Sequence, residues 1–495
     1  MHMNECSVMH HDPVRVALVN QAFVPPGMKI GETGAHLPAL GLLMLGSAIE
    51  ECDPQMKGKI EYFDEEHLGE KGCHQAVIEF LSNAETGIVM LTTYTMTHHR
   101  QISFFDKMKE HGFITMAGGP HVTIHPETSN ADYIVRGEGV SAMRAMFPWA
   151  GAMPDTAPGL IVNNHLEYSA PTRITIQRKL NPTMWPEPSF AFHLLPQEIA
   201  HRASHKRDLD GLKPLSIMLS KGCPSACHFC TSGAQNGKWA TGPLERFEND
   251  LEHLIKHHDV EAIEFHDDDL LAHPEIDGIL SVMETLEIPW TCYSRANSLV
   301  GDAGKDIASR LYESGCRRVF LGLEAMSNQR LSFLGKQATV DDNLTAVFNL
   351  HASGVEIAAA WIIGLPDDNV DALNQELEMF LSLPLYSLDV NILNLNPGAP
   401  LSKKVAKGKI SVPGRSDLKD EKDLLPDPAR HGVEEPYGQP TICWNMTKQE
   451  LNHYAKNARS VISGKKSLAL RSIREESRPW HQGVPPTTQQ RVLGR

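Results

Sequence analysis

Short apolar runs alternate with amphipathic stretches along the first 150 residues. The apolar runs predict strands at residues 14–19, 60–63, 88–91, 114–117 and 133–135, and the amphipathic stretches predict helices at 41–50, 75–82 and 101–111. Strands that are apolar throughout and separated by helices are typical of a parallel sheet covered on both faces. Residues 1–150 are therefore predicted to form a doubly wound α/β domain, which binds ligands at the carboxyl ends of its strands.

A second alternating series follows a Pro-rich segment at residues 151–210, which we interpret as an interdomain linker. Its apolar runs predict strands at 215–219, 262–265, 290–293, 318–321, 356–363 and 388–393, and helices are predicted at 244–256, 303–314 and 340–353. Because six strand–helix units fall short of the eight in a TIM barrel, residues 211–400 are predicted to form a partial (β/α)6 barrel of that type. Residues 401–495 are expected to be a small C-terminal extension, with a helix at 448–462 and a disordered tail.

The composition changes this picture little. Hydrophobic residues make up 41% and charged residues 22% of the chain, which is close to the globular average. The net charge of -15 opposes binding to nucleic acid or to an anionic bilayer. Neither a signal-like segment nor an apolar run long enough to span a membrane is visible. The nine cysteines are an odd number scattered along the chain, which argues against a disulfide framework. We therefore expect a cytoplasmic protein in a reducing compartment, with no membrane span.

Three of the nine cysteines are clustered. Cys223, Cys227 and Cys230 directly follow the strand predicted at 215–219 and have the spacing CxxxCxxC. Three thiolates spaced in this way can bind three irons of a [4Fe-4S] cubane. The fourth iron would then be free to chelate the amino and carboxylate groups of S-adenosylmethionine (SAM). A zinc site with His228 or a distant cysteine as fourth ligand, or inert cysteines, remain as alternatives, although no second CxxC or HxxxH pair is placed to complete a zinc site.

The cysteine spacing, with Phe229 before the last cysteine, resembles the signature of the radical SAM superfamily. Later segments resemble other elements of that superfamily in the correct order: 263–269 (IEFHDDD), Arg295 after the third strand, 322–324 (GLE) and 360–367 (AWIIGLPD). The last segment departs from the superfamily pattern, because Ala360 replaces a glycine and Asp367 a glutamate. The resemblance implies that SAM is bound by Phe229, Asp267, Asp268, Arg295, Glu324 and Gly364. Alternatively, these carboxylates could cap helices and the GLP sequence could be a turn.

The first domain resembles the cobalamin-binding domain of one branch of the same superfamily, on a flavodoxin-like fold. The resemblance lies in 36–42 (HLPALGL), 117–121 (AGGPH) and 136–139 (RGEG). It implies that cobalamin is bound by residues at the strand ends: Asn20, Gly41, Thr92, Thr93, Gly118, Gly119, Gly137, Glu138 and Gly139. Residues 64–69 (DEEHLG) miss the DxHxxG spacing by one, so His67 is not expected to bind cobalt. Alternatively, the domain binds nothing or another ligand, although the GxGxxG motif of dinucleotide sites is missing after the first strand.

Together, the two resemblances imply a cobalamin-dependent methyltransferase. One SAM would methylate cobalamin, and a second would yield a 5'-deoxyadenosyl radical that activates an unactivated carbon of a small-molecule biosynthetic intermediate. Electrons would come from an external donor of the flavodoxin or ferredoxin type, and no general base is assigned. Alternatives are a non-methylating rearrangement or cyclisation, and a non-catalytic corrinoid or iron-sulfur carrier. The related transfer RNA methylthiotransferases are disfavoured by the negative charge.

Overall fold

The computed structural model describes residues 12–22, 39–95, 97–154, 157, 159–162, 185–200, 209, 211–212, 214–415, 418–424 and 440–475. The chain divides into two compact units. The described residues up to 200 belong to the first unit, and those from 209 onward belong to the second.

The first unit contains a six-stranded sheet in the order β2-β1-β3-β4-β5-β6. Its strands are β1 Asp12–Asn20, β2 Ile60–Asp64, β3 Ala84–Thr92, β4 Ile114–Gly118, β5 Tyr133–Val135 and β6 Leu160–Val162. Strands β1 to β5 are parallel, and their order 2-1-3-4-5 is that of flavodoxin-like sheets. The five predicted strands and the α/β fold are therefore confirmed. Strand β6, antiparallel to β5, was not predicted, because three residues in a Pro-rich segment carry no periodic signal.

Helices connect the strands of this sheet. They are α1 Leu40–Cys52, α2 Glu65–Leu81, α3 His98–Glu110, α4 Pro120–Ile124, α5 Val140–Met146 and α6 Gln197–Ala200. One apolar core joins Val89 and Leu91 of β3 to Phe104, Phe105 and Met108 of α3. Helix α2 begins about ten residues before the predicted start, and it is kinked at Gly69, whose φ of 69° and ψ of 160° are not helical. The Asp64 side chain caps it by accepting a hydrogen bond from the backbone N of His67 at 3.1 Å.

Two stretches of residues 151–210, the segment interpreted as a linker, are structured parts of the first unit. Residues 160–162 form β6, and residues 185–200 pack on the first unit. The backbone N of Ala191 donates to the Leu43 carbonyl of α1 at 3.0 Å, and Phe190 and Phe192 are buried. The prolines indicate an extended chain, but the burial of these aromatic side chains against the first unit determines the structure of the segment. Residues 163–184 and 201–208 lie outside the described residues.

The second unit contains six parallel strands in chain order, as expected for a partial barrel. They are β7 Pro214–Ile217, β10 Ala262–Phe265, β11 Trp290–Arg295, β12 Cys316–Glu324, β13 Glu356–Ile363 and β14 Ser387–Ile392. Each pairs with the next in parallel register. Strands β7 and β14 form the two edges of this sheet, so the predicted six-stranded open arrangement is confirmed. A small antiparallel hairpin, β8 Ser220–Lys221 and β9 Ala240–Thr241, follows β7.

Helices flank this second sheet. They are α7 Ser232–Gln235, α8 Leu244–His257, α9 Ile276–Leu286, α10 Gly301–Glu313, α11 Asn328–Leu334, α12 Val340–Ala352, α13 Val370–Ser382, α14 Pro400–Ala406 and α15 Lys448–Glu475. Phe265 and Trp290 lie on the face of the sheet toward α8, where Phe247 packs on Phe265. Tyr293 and Phe320 lie on the other face, with ring centroids 5.2 Å apart. Because side chains alternate along a strand, Arg295 shares that inner face with Tyr293.

The predicted C-terminal helix is present as α15 and extends to Glu475. Arg459 of α15 donates to the Val390 carbonyl of β14 at 2.6 Å, so this part of the extension belongs to the second unit. The tail predicted to be disordered, from residue 476 onward, lies outside the described residues. Among the helices that the structure describes, none has the length and apolar character needed to cross a bilayer.

Candidate functional site

The cysteine loop, residues 222–239, leaves the sheet at the carboxyl end of β7. The hairpin of β8 and β9 closes its base, where the backbone N of Gly242 donates to the Leu219 carbonyl at 3.0 Å. Cys223, Cys227 and Cys230 are all free thiols, of which Cys227 is buried and the other two are partly exposed. Burial raises the pKa of the Cys230 thiol to about 11 and raises that of Cys223 as well.

Asp267 holds the base of this loop. Its carboxylate accepts hydrogen bonds from the backbone N atoms of Leu219, at 3.1 Å, and Ser220, at 2.6 Å, and from the Ser220 hydroxyl. The side chain is 1% exposed, and burial raises its pKa although these hydrogen bonds oppose the rise. The contact of Asp267 with SAM stays a prediction, and the structure shows a different task for this side chain. Asp267 positions the strand end from which the cysteine loop departs.

We expect Asp267→Ala to weaken cluster retention. The substitution leaves two backbone donors and one hydroxyl buried without their acceptor, and each such group costs about 1–3 kcal/mol. Iron per chain after anaerobic reconstitution and desalting should fall, and the remaining iron should be lost faster to a chelator. Asp277→Ala, which removes an exposed carboxylate of α9, is the control. Equal iron retention in both variants would contradict the role given to Asp267.

His228 and Phe229 fix the middle of the loop. The backbone N of His228 donates to Leu334 O at 2.8 Å, and its Nδ1 lies 2.7 Å from Phe333 O, at the end of α11. The imidazole rests against Gly335, whose φ is +67° and where a β-carbon would come within 3.0 Å of the ring. Phe229 packs against the apolar cluster that includes Leu334. Phe229, predicted to contact SAM, is thus placed as an anchor of the loop.

The three sulfurs do not all lie within 4.8 Å of one another in this structure, so they are more widely spaced than three thiolates on one zinc ion. Two thiolates at 2.3 Å from a tetrahedral zinc are about 3.8 Å apart. Among the described residues, no set of three histidine, cysteine or carboxylate donors within 4.8 Å of one another includes Cys223, Cys227 or Cys230. The spread favours a polynuclear centre, in which each thiolate binds a different metal atom.

Two of the three sulfurs each accept a hydrogen bond. Arg295 Nη1 donates to Cys227 Sγ at 2.7 Å, and the backbone N of Ser232 donates to Cys230 Sγ at 3.4 Å. The Ser232 hydroxyl in turn donates to the exposed carboxylate of Asp268. The structure therefore brings the predicted residues Arg295 and Asp268 to the cysteine loop, with Arg295 on a sulfur.

Glu324 connects to the same site through Lys336. Lys336 Nζ lies 3.4 Å from Glu324 Oε1, both side chains are largely buried, and the Lys336 carbonyl accepts a hydrogen bond from Arg295 Nη2. Glu324 has φ +64°, a strained conformation for a residue with a β-carbon. A β-carbon at Gly322 would lie 2.8 Å from Glu324 Oε1, so a larger residue there would displace the end of the Glu324 side chain.

Gly364 lies in a turn of its own. Its φ is +92°, and the backbone N atoms of Gly364 and Leu365 donate to Asp368 Oδ2 at 2.8 and 3.0 Å. A β-carbon at Gly364 would approach Leu451 of α15 at 3.3 Å. These contacts are those of a turn that the carboxylate of Asp368 stabilises. The neighbouring Asp367, which departs from the superfamily pattern, is exposed.

Sequence reasoning missed Asp269 and Lys336. Asp269 is buried, and it accepts hydrogen bonds from the Ser294 hydroxyl at 3.0 Å and from the backbone N of Arg295 at 3.3 Å. The run of three aspartates drew attention to this segment, but it does not indicate which of the three contacts β11. Lys336 carried no signal, because it lies 12 residues beyond Glu324 along the chain.

In the first unit, the residues predicted to bind cobalamin divide into two groups. Six at the strand ends are partly exposed: Thr92, Gly118, Gly119, Gly137, Glu138 and Gly139, while Gly41 is exposed on α1. Asn20 and Thr93 are buried and paired within the protein, Asn20 with Asp64 at 2.9 Å and Thr93 with Gln101. These two side chains support the strand ends through these contacts, and their contact with cobalamin stays a prediction. Gly119, with φ +97°, lets the turn after β4 approach Thr93.

Three further side chains mark this edge of the first unit. Tyr94, directly after Thr93, is 38% exposed, although large aromatic residues are usually covered. His121, of the GGPH turn, is buried and stacks on His98 with centroids 4.3 Å apart. Burial lowers the pKa of His121 to about 3, so its imidazole is neutral. His67 is exposed on α2, in agreement with the expectation that it is a surface residue.

Residues 217–380 match the family model described as the radical SAM superfamily. The chain contains a radical SAM domain. An uncharacterized methyltransferase of Pyrococcus horikoshii is 28% identical over 75% of this chain and 78% of its own length. The bacteriochlorophyllide d C-12(1)-methyltransferase of Chlorobaculum tepidum is 24% identical over 74% of each chain. The prediction of a radical SAM domain is thereby confirmed, and both relatives extend well beyond that domain.

Two solved structures share the fold over most of the chain. One is the radical SAM methyltransferase TsrM of Kitasatospora setae with cobalamin and a [4Fe-4S] cluster bound, which has a TM-score of 0.63 and 17% identity and covers 86% of this chain and 81% of its own. The other is the cobalamin-dependent radical SAM enzyme OxsB with aqua-cobalamin and SAM bound, which has a TM-score of 0.65 and 17% identity and covers 90% of this chain and 66% of its own. At this identity the likeness establishes the fold.

Proposed function

We propose that this chain is a cobalamin-dependent radical SAM methyltransferase that acts on an unactivated carbon of a small molecule. The observation that carries the proposal is the loop of three free, spread thiols, Cys223, Cys227 and Cys230, at the carboxyl end of β7. That loop lies in a matched radical SAM domain, and a flavodoxin-like unit precedes it in the chain.

The residues around the loop fit an iron-sulfur cluster and SAM. The three thiols would bind three irons, and Arg295 and Ser232 would donate to the sulfurs. Asp268 and Glu324 offer carboxylates near the loop for the polar groups of SAM. When bound, the cluster and SAM would supply a radical that removes hydrogen from carbon, and cobalamin would supply the methyl group. The chain's own task is to position the reactants and exclude water.

The first unit fits a large, flat ligand at its strand ends. Thr92 and Gly118 end β3 and β4, and Gly119, Gly137 and Gly139 lie in the loops after β4 and β5. All five are partly exposed, and small residues there allow close approach of the backbone. Tyr94 adds an exposed aromatic ring at the same edge. The exposed His67 is not among these residues, so we propose that cobalamin is held without it as a cobalt ligand.

A non-methylating ring closure is the second candidate. The anaerobic magnesium-protoporphyrin IX monomethyl ester cyclase of Rubrivivax gelatinosus is 23% identical over 163 residues, which are 32% of this chain. The two named methyltransferases of Chlorobaculum tepidum align over longer stretches, 384 and 267 residues. The longer alignments favour methyl transfer.

The deciding experiment follows labelled methyl groups. Anaerobically reconstituted protein is incubated with cobalamin, a low-potential reductant of the flavodoxin type, methyl-deuterated SAM and candidate substrates. Chlorophyll-type tetrapyrroles belong in the panel, since two relatives are named for methylating bacteriochlorophyllide d. We expect 5'-deoxyadenosine and S-adenosylhomocysteine to form together, with three deuterons appearing in the product. Deoxyadenosine without label in the product would favour ring closure, and no deoxyadenosine with any substrate would favour a carrier.

A further inference from the structure

Arg295 reaches the cysteine loop from the inner face of β11 and donates to Cys227 Sγ rather than to a carboxylate. The Nη1–Sγ distance is 2.7 Å, and Arg295 is 6% exposed. Cys227 is the most buried of the three clustered cysteines. The sulfur and the guanidinium are thus both shielded from water, where a charge-assisted hydrogen bond is strongest.

Three further contacts hold Arg295 in this position, two through its guanidinium and one through its backbone N. Its Nη2 donates to the Lys336 carbonyl and, at 3.3 Å, to Asn297 Oδ1. The backbone N of Arg295 donates to Asp269 Oδ1 at 3.3 Å. These contacts fix both the backbone and the end of the side chain, so the hydrogen bond to sulfur is built into the fold.

The neighbouring cation has a different partner. Lys336 Nζ pairs with Glu324 Oε1 at 3.4 Å, and both atoms belong to largely buried side chains. Of these two cations, Arg295 is therefore the one that donates a hydrogen bond to a cysteine sulfur. Hydrogen bonds and positive charge at the sulfurs of an iron-sulfur cluster favour its reduced state, which carries more negative charge.

We propose that Arg295 raises the reduction potential of the cluster through its hydrogen bond to Cys227 Sγ, an inference that rests on the proposed function. The step concerned is the transfer of one electron from an external low-potential donor to the oxidised cluster, with no covalent bond made or broken in the protein. Arg295 acts through Cys227, so it is a positioning residue. This role differs from the direct SAM contact predicted for Arg295 from the sequence, and the test below separates the two.

The test is a redox titration of the reconstituted full chain, monitored by electron paramagnetic resonance without SAM or substrate. Arg295→Met should reduce the equilibrium constant for one-electron reduction at least tenfold, which is a shift of about 59 mV to more negative potential. Arg295→Lys, which keeps the charge but not the fork of donors, should lie between Arg295→Met and wild type. Arg246→Met is the matched control, because Arg246 is also buried and donates to Leu219 O, at the base of the loop, at 2.7 Å. Its potential should remain that of the wild type.

Each other outcome overturns the inference in a recognisable way. An unchanged potential in Arg295→Met with a loss of SAM affinity would make Arg295 a SAM ligand, and an equal shift in Arg246→Met would make the effect one of general loosening. If neither Arg295 variant assembles a cluster, Arg295 is a structural requirement of the loop. A wild-type chain that reconstitutes without an iron-sulfur signal would overturn the proposed function itself, and with it the inference.

Discussion

Replacing any one of Cys223, Cys227 and Cys230 by alanine is expected to abolish deoxyadenosine formation and to lower the iron content sharply. Each thiol would bind a separate iron, because the sulfurs are spread beyond the reach of one ion. Two remaining thiolates cannot hold a cubane firmly, because a third iron would lose its protein ligand. Iron and sulfide per chain, and the visible absorption of the reconstituted protein, measure the effect.

Cys52→Ala provides the matched control for the cysteine series. Cys52 is also a free, partly buried thiol, but it lies at the end of α1 in the first unit. Its removal should leave iron content and deoxyadenosine formation at the wild-type level. Wild-type protein that binds zinc and no iron, or cysteine variants that keep full iron content, would contradict the cluster and the function built on it.

The sequence was sufficient for the fold because buried parallel strands have a strong signal. Apolar runs such as Val16–Val19 and Ile357–Ile363 are nearly fully buried and pair as expected. The segment around Phe190 and Phe192 carried the opposite signal. Its prolines suggested an extended linker, whereas its aromatic side chains are buried on the first unit. A local pattern cannot reveal a contact with a helix about 150 residues earlier in the chain.

At the candidate site, the sequence identified which segments meet but not the role of each residue. Spacing and order were enough to place the cysteine loop, Asp268, Arg295 and Glu324 in one region. Whether a carboxylate faces a ligand or a backbone N–H depends on how two strand ends pack, and the hydrogen bonds of Asp267 to Leu219 and Ser220 could not be foreseen for this reason. Lys336 could not be found at all, since only the folded chain brings it to Glu324.

Arg330→Met is expected to destabilise the second unit by about 3–5 kcal/mol, the usual result of removing one partner from a buried ion pair. Arg330 lies between two buried carboxylates, 3.3 Å from Asp368 Oδ2 and 2.6 Å from Glu376 Oε2. Asp368 holds the Gly364 turn, and Glu376 accepts a hydrogen bond from Trp361 Nε1 at 2.8 Å. Hydrogen exchange of the β13 amides, which reports the free energy of opening of that strand, measures the loss.

The stability lost in Arg330→Met should become smaller as the pH falls. This pH dependence distinguishes a loss caused by unpaired carboxylate charge from a loss caused by missing side-chain packing. Burial raises the pKa of both Asp368 and Glu376, and the charge of Arg330 opposes that rise. Without the charge of Arg330, the pKa of each of these two carboxyl groups should rise further. A carboxyl whose pKa is higher in the folded than in the unfolded state takes up a proton on folding, so stability is lost as the pH rises through that interval and regained as it falls. Lowering the pH from about 8 to about 5 should therefore restore part of the stability of Arg330→Met. Arg310→Met, which removes the exposed partner of Asp277, should show almost no loss at either pH, and an equal, pH-independent loss in both variants would contradict the role of Arg330.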